Sequence, residues 1–160
     1  MKRPYSPFIL PALFVVILDQ VSKLAVINNI RLYESLPVIK GLFNLVHFRN
    51  RGMAFGIMNK DEVGLAFYLL CLATLAAIGL LIFWFTRLGV NEKGLIFGIS
   101  LILGGALGNL IDRIRLHEVV DFLDFYISTH HWPAFNIADS AVTVGTCWVA
   151  FNILFLNKER

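Results

Sequence analysis

The chain has 160 residues, 58% of them hydrophobic and only 16% charged, with a mean hydropathy of +0.72. A soluble domain of this length needs more polar surface, so the composition points to a membrane protein rather than an unusually apolar soluble bundle. The formal charge of +3 comes without a basic cluster, which leaves nucleic-acid binding without support.

Met1-Lys2-Arg3 ahead of an apolar run resembles the start of a secretory signal peptide, but no small-residue cleavage site follows. The run instead continues into Asp19-Gln20-Val21-Ser22-Lys23. Roughly residues 8–26 are expected to form a first membrane span at 1.5 Å rise per residue. Asp19 and Lys23 are four apart and share a helix face, so they can pair. The pattern favours a structural ion pair near the helix end, with Lys23 snorkelling to the interface.

The stretch from about 28 to 62 carries eight charged residues and is not a span. Leu42 to Arg49 has β-formers without helical spacing, Asn50-Arg51-Gly52 is a turn signal, and Ala54 to Met58 is expected to return as a second strand. The economical picture is a hairpin lying on the bilayer surface. Residues 63–85 form an uncharged apolar run, with Trp84 suited to an interfacial position. After a polar link comes a third span, about 94–111. Its Gly104, Gly105 and Gly108 offer a small-residue face for close packing or for an incoming helix. Asn109 and Asp112 lie on one face, and Arg113 follows.

Residues 113–136 form a second polar loop, with Val119-Val120-Asp121-Phe122, Asp124 and the pair His130-His131. Adjacent histidines without further ligands at zinc spacing read as solvated loop residues, and no metal is expected. A fourth span covers about 137–156, with Asp139 in its first turn. Cys71 and Cys147, both within apolar runs, are expected to be buried and unbridged. Four spans put both termini on one side and both loops, with Asp112, Asp121 and Asp139, on the other. Lys and Arg divide six to seven between the two sides, so charge bias does not orient the chain.

Ionisable groups at a membrane boundary mark a functional site by default. Two adjacent carboxylates share a proton, so one can activate water while the other protonates a leaving amine. No G-x-S-x-G, H-E-x-x-H or P-loop competes with that reading. The structural alternative has the aspartates capping helices and pairing with Arg113, Arg115 or Lys23. Asp112 precedes Arg113 at a helix end, which suits an architectural role. Asp121 stands in an apolar setting where burial keeps it protonated, and Asp139 stands at a helix N-terminus that favours a carboxylate. The two environments differ as an acid/base pair requires, which selects Asp121 and Asp139. A proton-coupled carrier and a scaffold that binds lipid or partner helices stay open; a carrier predicts charges nearer mid-membrane.

Five motifs in series carry a family resemblance: Asp19…Lys23; Asn50-x-Gly52-x-Ala54-Phe55-Gly56; Gly104-Gly105-x-x-Gly108-Asn109-x-x-Asp112-Arg113; Val119-Val120-Asp121-Phe122; and Phe135-Asn136-x-Ala138-Asp139. Together they resemble the bacterial lipoprotein signal peptidases (signal peptidase II) over nearly the whole chain. The resemblance implies an all-α polytopic protein of the inner membrane. It would form a single domain over 1–160, with four spans and a small extracytoplasmic β-rich cradle in the first loop. It implies an aspartic endopeptidase without cofactor, cutting lipidated prolipoproteins just before the diacylglyceryl-modified cysteine. Asp121 and Asp139 would be the catalytic dyad. Asp19, Lys23, Asn50, Gly52, Asn109, Asp112, Arg113, Asn136 and Ala138 would support it or bind substrate. The expected partners are prolipoprotein signal peptides and membrane lipid, with no nucleic acid and a monomeric enzyme.

Overall fold

The structure is a computed structural model that describes residues 5–51 and 64–156. Its helices are α1 (Ser6–Asn29), α2 (Leu65–Arg87), α3 (Lys93–Leu116) and α4 (Ile137–Phe151), the last continuing as a π-helical turn over Asn152–Leu156. Among the described residues, four helices are long and apolar enough to cross a membrane: Pro7–Asn29, Phe67–Arg87, Lys93–Leu116 and Ile137–Leu156. Lengths of 20 to 24 residues match a hydrocarbon core of about 30 Å. Large apolar side chains such as Phe14, Leu72, Leu80 and Phe155 face outward, as a lipid solvent permits.

Helix α3 is the centre of the bundle, and its glycines set how close its neighbours come. A Cβ on Gly104 would lie 2.7 Å from the Ala12 carbonyl of α1, and one on Gly105 would collide with the Ala138 carbonyl of α4. The small-residue face is therefore occupied by α1 and α4 and is not open to an incoming helix. Helix α2 packs on α3, meets α1 through Phe85, and exposes most of its remaining surface. One core cluster joins all four helices at the end away from the loops, with Phe8 stacked on Phe85 at 3.9 Å beside Ile99, Leu103 and Val149.

The strands are β1 (Ser35–Ile39), β2 (Phe43–Asn50), β3 (Val119–Ile127) and β4 (His130–His131), forming an antiparallel sheet in the order β1-β2-β3-β4. This corrects the all-α expectation and the confinement of the β-structure to the first loop. A two-stranded hairpin is marginal alone. Here β2 pairs along β3, from Phe43 opposite Phe125 to Asn50 opposite Val119, and the sheet spans both loops. Val120 and Phe122 then bury against Val26 of α1 and its C-cap Ile30, which fastens the sheet to the bundle. A hairpin that the sequence reading did not anticipate joins β1 to β2, with its turn between Ile39 and Phe43 and Gly41 at φ +83°; the anticipated turn at Asn50-Arg51-Gly52 runs into residues outside the described ones. The anticipated strand at Ala54–Met58 lies outside the described residues.

Two further expectations change. Helix α3 does not stop at Ile111; it runs to Leu116 and ends at His117, whose φ of 59° makes a left-handed cap. Cys147 is exposed on the bundle surface and Cys71 partly so; both are free, but neither is a buried core residue.

Candidate active site

The site forms where the loop-side ends of α1, α3 and α4 meet β3. Lys23 lies at its base and does not snorkel outward. The side chain is 2% exposed, and its ammonium sits 2.8 Å from both Asp19 and Asp112 and 3.0 Å from Asn109 Oδ1. A buried lysine is tolerable because the two carboxylates and the amide replace its water. Asp112 therefore pairs with Lys23 rather than with the neighbouring Arg113, and its Oδ2 also accepts the Val120 backbone N–H at 3.2 Å. Asp19 turns its other oxygen to the Ala138 N–H at 2.9 Å, one of the unpaired donors at the start of α4. Gly108 makes this approach possible, since a Cβ there would lie 2.6 Å from Asp19 Oδ2.

Asp139 is the third residue of α4 and half of a reciprocal capping box with Asn136. Its N–H donates to Asn136 Oδ1 at 3.0 Å, and its Oδ2 accepts the Asn136 N–H at 3.2 Å. Its Oδ1 accepts Asn109 Nδ2 at 2.7 Å. Asp121, on β3, is buried. Its Oδ1 accepts Asn136 Nδ2 at 2.8 Å and its Oδ2 accepts Asn50 Nδ2 at 3.0 Å. Burial pushes its carboxyl up to about 6; the Asn50 hydrogen bond opposes the rise, and the negative charge of Asp139 adds to it. Asn136, fully buried, thus contacts both aspartates and also donates to Asn109 Oδ1 at 3.2 Å.

Of the residues singled out in the sequence, Asp19, Lys23, Asn50, Asn109, Asp112, Asn136 and Ala138 join one hydrogen-bonded network with Asp121 and Asp139. Arg113 stands at its edge, half-buried, with Nη1 3.5 Å from the Asn109 carbonyl. Gly52 lies outside the described residues. A groove of about 490 Å³ leads to Asn109, Arg113 and Asp139 from apolar walls that include Leu70, Ala77, Ile102 and Val142.

Sequence reasoning passed over Gln20. Its amide donates to Asp112 at 2.9 Å, Asp19 at 3.2 Å and the Gly108 carbonyl at 3.3 Å. Its place beside Asp19 and three before Lys23 was the available signal. His131 is half-exposed, yet not simply solvated: Nδ1 lies 2.8 Å from the buried Asp124, and the ring stacks on Tyr126. Among the described residues no cluster of three His, Cys, Asp or Glu side chains is arranged to hold a metal ion. Chemically, a carboxyl raised toward neutrality beside a second carboxylate can pass one proton between water and a leaving group.

Comparison with known proteins follows the same lines. Residues 11–155 match the family model described as Signal peptidase (SPase) II. The chain is 41% identical over 160 residues to the lipoprotein signal peptidase of Syntrophus aciditrophicus, covering 100% of this chain and 99% of that one. It is 42% identical to the lipoprotein signal peptidase of Geobacter sulfurreducens, covering 100% and 98%. A bacterial membrane enzyme solved by the in meso method at 1.9 Å resolution superposes with a TM-score of 0.80 at 35% identity, over 95% of this chain and 93% of that one.

Proposed function

The chain belongs to the signal peptidase II family, and from that premise we propose that it removes signal peptides from diacylglyceryl-modified prolipoproteins, cutting just before the lipidated cysteine. The observation that carries the chemistry is the joining of Asp121 and Asp139 through Asn136, close enough for the charge of one to raise the proton affinity of the other.

Asp121, the more buried and proton-holding partner, is the acid; Asp139 is the base. Asp139 takes a proton from water as the water oxygen attacks the scissile carbonyl. Asp121 gives its proton to the departing nitrogen as the C–N bond breaks, and the proton gained by Asp139 restores the pair for the next turnover. Asn109 and Asn136 fix the lone pairs that each carboxyl presents. Lys23, Asp19 and Asp112 hold the ends of α1, α3 and α4 in register. No cofactor is invoked.

The groove beside Asp139 suits an apolar signal helix, and its place at the loop end of the bundle suits a cysteine whose acyl chains anchor it at the bilayer surface. In this reading the protein is a single inner-membrane domain and acts as a monomer. Both termini are cytoplasmic, and the sheet and dyad face the periplasm against membrane lipid.

The direct test is incubation of the purified protein with a lipidated precursor, followed by gel electrophoresis and mass analysis of the products. Release of the signal peptide with the modified cysteine at the new N-terminus supports the proposal. An uncut precursor with well-folded protein overturns it.

A further inference from the structure

Glu118 takes no part in the network that joins the two aspartates, yet it occupies the one bend through which the chain passes from α3 into β3. Its carboxylate is largely buried and lies between two guanidinium groups: Arg49 Nη1 to Oε1 and Arg51 Nε to Oε2, each at 3.4 Å. Those arginines flank Asn50, the residue that donates to Asp121. Side chains alternate across a strand, so the direction that sends Arg49 and Arg51 to Glu118 sends Asn50 to the opposite face, toward Asp121.

The ladder between β2 and β3 ends at this point, with Asn50 opposite Val119. A terminal rung is where a strand pair opens most easily. The clamp extends further back as well. Arg49 Nε donates to His47 Nε2 at 3.0 Å, and the buried His47 ring contacts the Ile30 carbonyl at 2.8 Å through Nδ1. With Nε2 accepting from Arg49, His47 is the tautomer that donates from Nδ1 to the end of α1. A continuous polar path therefore runs from α1 through β2 to Glu118.

We propose that Glu118 is a positioning residue for the dyad, holding the end of β2 through Arg49 and Arg51 so that Asn50 stays bonded to Asp121. The inference rests on the reading of Asp121 as the catalytic acid. Both contacts are long, at 3.4 Å, and Arg51 is exposed, so the role is expected to show in the protonation of Asp121 more than in folding. Burial sets that protonation first, and the groups that modulate it are Asn50 from β2, Asp139 from α4, Asn136 at the cap of α4 and Lys23 from α1. Of these, only Asn50 is held by the clamp.

The experiment is the pH dependence of cleavage by Glu118→Gln, Glu118→Ala, Asn50→Ala and the Asn50→Ala/Glu118→Ala double variant. The Asn50 hydrogen bond favours the ionised form of Asp121, so losing it raises the pH at which the catalytic proton is lost. The alkaline limb of Glu118→Ala should move up by about half a pH unit or more, that of Glu118→Gln by less, and the double variant no further than Asn50→Ala alone. The sign decides the matter, because removing a nearby negative charge with Asn50 still in place moves the limb down. A downward or absent shift in both Glu118 variants, or shifts that add to Asn50→Ala, overturns the proposal. Should Glu118→Ala fold poorly, Glu118→Gln, which keeps the shape, carries the same sign test. An active Asp121→Asn, by contrast, would sink the dyad itself and leave the clamp with nothing to position.

Discussion

Lys23 and Asn109 meet across the gap between α1 and α3, the ammonium donating to the amide oxygen at 3.0 Å. An ammonium has no acceptor to offer, so the contact fixes which way the Asn109 amide points. The oxygen faces Lys23 and Asn136; the nitrogen faces Asp139 at 2.7 Å. A structural ion pair at the base of the site thereby sets the hydrogen bond that one of the two proposed catalytic carboxyls receives.

Removing Lys23 should therefore do two things. Lys23→Met leaves Asp19 and Asp112 as buried carboxylates without their cation, which costs about 3–5 kcal/mol. It also frees the Asn109 amide to turn. Thermal unfolding in detergent should show a large drop in Tm or a collapse in folded yield, and the folded fraction should cleave poorly. Normal stability in Lys23→Met would mean that the buried cluster is not what holds the three helix ends together.

The proposed dyad predicts matched losses. Asp121→Asn and Asp139→Asn should each reduce cleavage by about three orders of magnitude or more, with the double variant little worse, because the two groups act as a unit. Both variants should still fold and bind lipidated precursor. Asp124→Asn, whose carboxylate bonds Asn44 and His131 on another part of the sheet, should keep measurable turnover. Near-normal cleavage by either dyad variant would remove that aspartate from the mechanism.

The raised proton affinity of Asp121 has a stability signature with a definite sign. Its folded value of about 6 lies above the ordinary 3.8, so the folded state holds the proton more tightly than the unfolded one. That contribution is fully present at low pH and is lost as pH rises through about 6, where the buried group must ionise. Asp121→Asn does not titrate. Its stability relative to the parent should improve by up to about 3 kcal/mol between roughly pH 4 and pH 7, measured as a difference in Tm or denaturant midpoint. An offset that does not change with pH would contradict the burial of this carboxyl.

Helix α3 gives a packing test. Gly105→Ala places a methyl against the Ala138 carbonyl, which is backbone and cannot swing aside; overpacking of this kind costs about 1–3 kcal/mol. Gly79→Ala in α2 meets nothing within 4 Å and should be neutral or slightly stabilising, as alanine favours a helix over glycine. Equal effects at the two positions would argue that α4 does not pack against α3 as described.

Orientation is open to labelling. With Cys71 and Cys147 replaced, single cysteines at the exposed Ser35 or Ser128 should react with an impermeant reagent in cells stripped of their outer barrier, and a cysteine at Asn91 should not. The reverse pattern would turn the molecule over.

The sequence by itself determined the four apolar segments, because a span needs only length and the near-absence of charge, and both are local properties. It also pointed to the polar residues of the site, which stand out against an apolar background wherever they fall. It could not supply the partners. Asp112 read as a neighbour of Arg113 because sequence adjacency is all that a chain displays, whereas the fold sets it 2.8 Å from Lys23, on another helix. The early end expected for α3 followed from the same blindness: an aspartate looks like a stop until a cation neutralises it and the helix continues to Leu116. The sheet was half-visible for a related reason. β2 and β3 both carry β-formers, but the pairing that makes them one sheet joins residues about seventy positions apart, such as Asn50 and Val119, which no local pattern displays. Which carboxyls share the site, and which amides hold them, was decided in tertiary structure, where a buried polar group persists only if another element supplies its hydrogen bond.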